Sequence, residues 1–139
     1  MRILVVDDEL VSRLKAWKIL SEFGECQMAK DGVEALERIQ LAYEEARPYE
    51  LITLDIKMPD IDGLEALKTV REWEHARGVM LGDGAKILML SVSHGASEVL
   101  KAFQDGCEAY IYKPFNRNDL LEAMVKLNLV GKTAVAGGK

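Results

Sequence analysis

Short, mainly apolar runs alternate with stretches of helical period along almost the whole chain. The runs are residues 3–6, 26–29, 51–54, 87–90 and 109–112. Such runs are short, partly β-branched and bounded by turn residues, which suits strands covered on both faces. Five strand–helix units use the 139 residues with no internal gap for a second domain. The expected fold class is therefore α/β, a doubly wound five-stranded parallel sheet with right-handed crossovers.

The helical stretches carry their own punctuation. Asp8, Asp31, Asp62 and Asn116 each precede one, where a short polar side chain caps free backbone N–H groups. Leu10, Val11, Leu14, Trp17 and Leu20 fall at helical spacing, and Gly24 stops that pattern. Ala35, Leu36, Ile39 and Tyr43 predict the inner face of a second helix, with Pro48 after its end. Leu64, Leu67, Val70 and Trp73 do so for a third, which follows the turn residues Met58-Pro59-Asp60-Ile61-Asp62-Gly63. Ala96, Val99, Leu100 and Phe103 are expected inside a fourth, ended by Gly106. Leu120, Leu121, Met124 and Leu127 are expected inside the fifth. Residues 78–84 read as a loop, in which apolar Met80 and Leu81 suggest either a docking spot or cover for the sheet edge. Residues 1–130 are expected to form the domain, and residues 131–139 a flexible tail.

In open parallel sheets, ligands sit beyond the carboxyl ends of the strands, at the switch in strand order. That rule sorts the polar residues. Asp7 and Asp8 follow the first run, Asp55 the third, Ser91 the fourth and Lys113 the fifth. Three carboxylates at one edge repel each other unless a cation intervenes. Hard oxygen ligands, few in number and with room for water, favour Mg²⁺. A carboxylate beside Mg²⁺ and a lysine is suited to nucleophilic attack on a phosphoryl group, giving an aspartyl phosphate.

Val5-Val6-Asp7-Asp8, Leu54-Asp55-Ile56-Lys57-Met58-Pro59, Asp62-Gly63, Leu90-Ser91 and Tyr110-Ile111-Tyr112-Lys113-Pro114-Phe115 together resemble the response-regulator receiver family, the CheY-like domains of two-component signalling. The resemblance spans about residues 2–128, and its specificity lies in the order and placement of the motifs. It implies a flavodoxin-like (βα)5 three-layer sandwich with strand order 2-1-3-4-5. It implies Asp55 as phosphoacceptor. Asp7, Asp8, Asp55 and the main-chain carbonyl of Lys57 would hold Mg²⁺. Lys113 would pair with the phosphoryl group, and its bond to Pro114 is often cis in such domains. Ser91 would be the switch hydroxyl and Tyr110 the aromatic switch residue. Lys57, Val92 and Ser93 would modulate the reaction.

The implied donor is a phosphohistidine on a sensor histidine kinase or a phosphotransfer protein. The implied protein is a stand-alone cytoplasmic phosphoacceptor switch rather than a conventional enzyme. Its output would pass through the face of the fourth helix, fifth strand and fifth helix, residues 94–128, to a protein partner or a second copy. Val92 departs from the Ala or Gly usual after the switch hydroxyl, so sluggish self-phosphorylation from acetyl phosphate is expected.

Other classes fail on inspection. With 18 basic and 23 acidic residues the net charge is −5, a poor match to nucleic-acid phosphates. No apolar run approaches the ~20 residues that cross a membrane. Two acids arrive too early, at Asp7 and Asp8, for a secretory leader. Cys26 and Cys107 have no metal-ligand spacing and read as reduced, buried thiols. Gly131-Lys132-Thr133 ends like a phosphate-binding loop, but Lys126 stands where the first glycine is required. Met58 occupies the first position of the would-be EF-hand loop. Lys57 replaces the second Asp of an aspartate-based phosphatase. A flavodoxin-like ligand binder would need a phosphate-cradling loop where Asp7-Asp8-Glu9 stands. His75 and His94 are isolated and read as surface residues.

Overall fold

The computed structural model describes residues 1–93 and 95–131. His94 and residues 132–139 of the expected tail lie outside the described residues. Five strands and five helices alternate: β1 (Arg2–Val6), α1 (Leu10–Leu20), β2 (Glu25–Ala29), α2 (Gly32–Glu44), β3 (Leu51–Leu54), α3 (Gly63–Ala76), β4 (Lys86–Ser91), α4 (Ala96–Gln104), β5 (Ala109–Tyr112) and α5 (Arg117–Lys126). The strands form one parallel sheet in the order β2-β1-β3-β4-β5. No helix among the described residues is long and apolar enough to cross a membrane.

Side chains alternate across the sheet with period two, so each strand feeds two cores. Leu4, Val6, Ile52, Leu54, Ile87 and Met89 pack with Ile39 of α2, Leu67 and Val70 of α3 and Ala102 of α4. Ile3, Val5, Leu51, Leu88 and Leu90 pack with Ala16 and Leu20 of α1 and with Leu120 and Met124 of α5. Each fully buried Leu or Ile contributes roughly 1.5–3 kcal/mol. Double coverage explains why the central strands are almost wholly apolar, with fully buried Thr53 of β3 as the polar exception.

The caps fall as expected in three places. Asp31, Asp62 and Asn116 accept from the backbone N–H of Glu34, Glu65 and Asp119, respectively. Asp8 does not cap α1: the N-cap residue is Glu9, which makes no side-chain cap bond. Asp7 takes the local role instead, its Oδ1 accepting from Glu9 N at 2.9 Å. Gly106 ends α4 with φ +110°, a conformation that favours glycine.

Two helices are rotated from the sequence expectation. In α1 the buried residues are Ala16 and Leu20, while Leu10, Val11, Leu14 and Trp17 are exposed, Val11 by 75%. The buried line lies about a third of a turn from the exposed apolar residues. In α4 only Ala102 is buried, and Leu100 and Phe103 face out. In both helices a small alanine is buried against the sheet, joined in α1 by Leu20, which is buried as its spacing implied. Met80 and Leu81 are exposed as well and do not cover the sheet edge.

An ion-pair network on α3 was not foreseen. Arg71 bonds Glu74 at 2.7 Å and Glu108 at 2.6 Å, and donates to the carbonyls of Ala85 and Gly106. Buried Glu74 accepts from Ala85 N at 2.8 Å. The network ties α3 to the starts of β4 and β5. Cys107 is buried and Cys26 half-buried, both free; burial pushes their thiols up to about 12 and about 11.

Candidate functional site

Strand register builds the site. Ile3, Leu4, Val5 and Val6 pair with Leu51, Ile52, Thr53 and Leu54. One residue further, Asp7 and Asp55 leave the sheet together, Asp55 N donating to Val6 O at 3.2 Å. The strand order reverses between β1 and β3, so the two carboxylates flank the switch point. Ser91 pairs with Tyr112, which puts Lys113 just beyond the same edge.

Gly63 sets the far side of the Asp55 loop. Its N–H donates to Ile56 O at 2.8 Å. A Cβ there would stand 2.1 Å from the Asp55 carbonyl oxygen, so only glycine lets α3 begin this close.

Carboxylate oxygens of Asp7, Asp8 and Asp55 lie within 4.8 Å of one another. Asp7 and Asp55 are only 3% and 6% exposed, whereas Asp8 is open to solvent. Lys113 Nζ reaches Asp7 Oδ2 at 2.7 Å and Asp55 Oδ2 at 3.0 Å. Burial raises the Asp7 carboxyl above its ordinary value, against the hydrogen bonds from Lys113 and Glu9 N. Burial alone would lower the Lys113 ammonium, but its bonds to Asp7 and Asp55 outweigh that and carry it upward. One ammonium thus serves two buried carboxylates, with a third beside them. The donor set is all oxygen and short of positive charge, which fits a hard divalent cation such as Mg²⁺. The Lys113–Pro114 bond is cis, as the resemblance implied.

Ser91 is fully buried, and its Oγ accepts from Ser93 N at 3.1 Å. Tyr110 is half-buried against the core, its hydroxyl donating to Ser93 O at 2.9 Å. Its ring meets Tyr112 edge-on at 5.4 Å. Val92 is exposed. Lys57 is exposed and lines, with Asp8, Met58 and Asp62, an opening of about 640 Å³.

Two residues beside the site escaped sequence reasoning. Arg13 donates to the Asp7 carbonyl at 2.8 Å. Glu98, from the first turn of α4, lines the opening, and its Oε1 accepts from Ser93 Oγ at 2.5 Å. No linear motif marks either, because both arrive by the folding back of a loop or helix.

The fold and this acidic edge define a class: the chain belongs to the response regulator receiver domain family, whose model matches residues 3–125. Its relatives are CheY-like. It is 35% identical over 127 residues to the chemotaxis protein CheY of Bacillus subtilis, covering 90% of this chain and 95% of that one. It is 33% identical over 128 residues to CheY of Listeria monocytogenes, covering 91% and 97%. Among solved structures it resembles a chain of the CheX–CheY–BeF3–Mg²⁺ complex from Borrelia burgdorferi, with a TM-score of 0.79, 25% identity and coverage of 92% and 89%. Receivers of this family are phosphoacceptor switches that take a phosphoryl group from histidine kinases.

Proposed function

We propose that the chain is a stand-alone cytoplasmic phosphoacceptor switch in which Asp55 takes a phosphoryl group from a phosphohistidine on a sensor kinase or phosphotransfer protein. The observation that carries this reading is Lys113 Nζ held between Asp7 and Asp55, with Asp8 completing the triad. An Asp55 oxygen bonds to phosphorus as the P–N bond to the donor imidazole breaks, and the ring keeps the electron pair and takes a proton. Asp7, Asp8, Asp55 and the Lys57 carbonyl would hold Mg²⁺, which when bound offsets charge on the transferring oxygens. Lys113 exchanges its bond with Asp55 for one to the phosphoryl group.

The product adds roughly −1.5 to −2 charge and three acceptor oxygens. Ser91 is fully buried and tied to Ser93 N, so reaching those oxygens requires movement of the strand-four loop. Ser93 also holds the Tyr110 hydroxyl, so the same movement frees Tyr110 to repack. Phosphorylation drives this switch as far as it binds one arrangement better than the other.

Two exposed apolar surfaces supply the protein contacts. The stripe of Leu10, Val11, Leu14 and Trp17 on α1 starts beside Asp8 and suits the donor protein. Leu100, Phe103 and Tyr112 lie on the face of α4 and β5 and suit the output partner. The test is incubation with Mg²⁺ and a phosphodonor, read by intact mass of wild type and Asp55→Asn. A phosphoryl adduct on wild type alone supports the reading; no adduct with any donor, a kinase included, removes it.

A further inference from the structure

The mouth beside the acidic triad, which it reaches through Asp8, carries charge that the triad does not need. Asp8, Asp62 and Glu98 line it, with Lys57 as the one cation among the described residues there. Asp8 belongs to the triad, and Asp62 is committed to capping α3 at 2.8 Å from Glu65 N. Glu98 has no such task. Its carboxylate is nonetheless held at the mouth, because Ser93 Oγ donates to it at 2.5 Å. Ser93 is itself fixed on both sides, by its N–H on Ser91 Oγ and by the Tyr110 hydroxyl on its carbonyl. A side chain so held keeps its charge in the path of approach instead of spreading it over many rotamers.

We propose that Glu98 is a specificity-determining residue that repels small anionic phosphodonors and so reserves Asp55 for a phosphorylated protein. The proposal rests on the phosphoacceptor reading. A small donor must carry its negative charge past Glu98 with few compensating contacts. A protein donor offsets the same repulsion through its own docking surface. The transfer step is unchanged: an Asp55 oxygen bonds to phosphorus while acetyl phosphate loses acetate with the electron pair, or phosphoramidate loses ammonia after protonation.

The test is the rate of adduct formation with Mg²⁺ and either acetyl phosphate, a dianion near neutral pH, or phosphoramidate, a monoanion. Glu98→Gln should raise the acetyl phosphate rate about three- to ten-fold and the phosphoramidate rate distinctly less, and added salt should shrink the difference. Ser93→Ala should give a smaller rise in the same direction, and the double variant should match Glu98→Gln alone, because Ser93 acts through Glu98. Equal effects on both donors that ignore salt, or no effect on acetyl phosphate, would overturn the proposal while leaving the phosphoacceptor reading standing. Absence of any adduct on wild type, from either small donor or a kinase, would remove both.

Discussion

Lys113→Met separates the electrostatic role of Lys113 from its packing, since methionine keeps most of the unbranched stem. The ammonium lies 2.7 Å from Asp7 and 3.0 Å from Asp55, and all three side chains are less than a tenth exposed. Removing one member of a buried ion pair costs about 3–5 kcal/mol, because the remaining charges stay buried without compensation. Two carboxylate oxygens no more than 4.8 Å apart repel by at least ~3.5 kcal/mol at an effective dielectric constant near 20, which supports the same range. Urea unfolding in EDTA at neutral pH should therefore show a loss of about 3 kcal/mol.

The loss should have two signatures. Saturating Mg²⁺ should restore much of it, because the variant's more negative triad binds a divalent cation more tightly; the Mg²⁺ Kd should fall by about tenfold or more. Acid should restore it as well. Asp7 already titrates above its ordinary value in the fold, so its stability contribution is full below the unfolded value and is lost as pH rises through the folded one. Without Lys113 that folded value climbs further, so the deficit should open as pH rises through and above the ordinary carboxylate range. An equal deficit in EDTA and in Mg²⁺, or one independent of pH, would refute the account of Lys113 as counter-ion to the triad.

Three further outcomes follow from the geometry. Val92→Ala, at an exposed position next to buried Ser91, should speed acetyl phosphate and phosphoramidate alike by several-fold and without salt dependence; an unchanged or slower rate sinks the steric idea. Gly63→Ala places a Cβ 2.1 Å from the Asp55 carbonyl oxygen and should cost about 2–4 kcal/mol in urea unfolding while slowing adduct formation. Phe103→Ser, on the outer side of α4, should change stability by no more than about 1 kcal/mol and leave the phosphoryl adduct intact, yet weaken phosphorylation-dependent binding of the output partner in a pull-down. Full binding would place the output face elsewhere.

Much of the protein was legible along the chain because the determinants are local. A doubly covered strand needs a mainly apolar run; residues 87–90 supply one without a break, and residues 51–54 one broken only by Thr53. A side-chain acceptor favours a helix start, and Asp31, Asp62 and Asn116 provide one for α2, α3 and α5, while α1 and α4 begin without one. Parallel strand–helix alternation sends the residue after each strand to one edge, which is how the order of the chain points to Asp7, Asp8, Asp55 and Lys113, and the structure brings these four together. Asp8 as a helix cap was the local inference that failed, since Asp7 claims the Glu9 N–H and Asp8 joins the triad instead.

The rest was decided by packing between elements distant in sequence. Helical spacing tells which residues share a face, not which face meets the sheet. Ala16 and Ala102 turned out to face inward, leaving Leu10, Val11, Leu14 and Trp17 of α1 and Leu100 and Phe103 of α4 exposed. The part-buried Arg71–Glu74–Glu108 network, with the Arg71 bond to the Ala85 carbonyl, ties α3 to the starts of β4 and β5, which no linear pattern relates. Glu98 reaches the site only because the loop after β4 folds back and Ser93 catches its carboxylate. The order of residues along the chain thus determined which chemistry gathers at the sheet edge. The tertiary structure decided what surrounds that chemistry, because approach and docking depend on which side of each helix the sheet leaves uncovered.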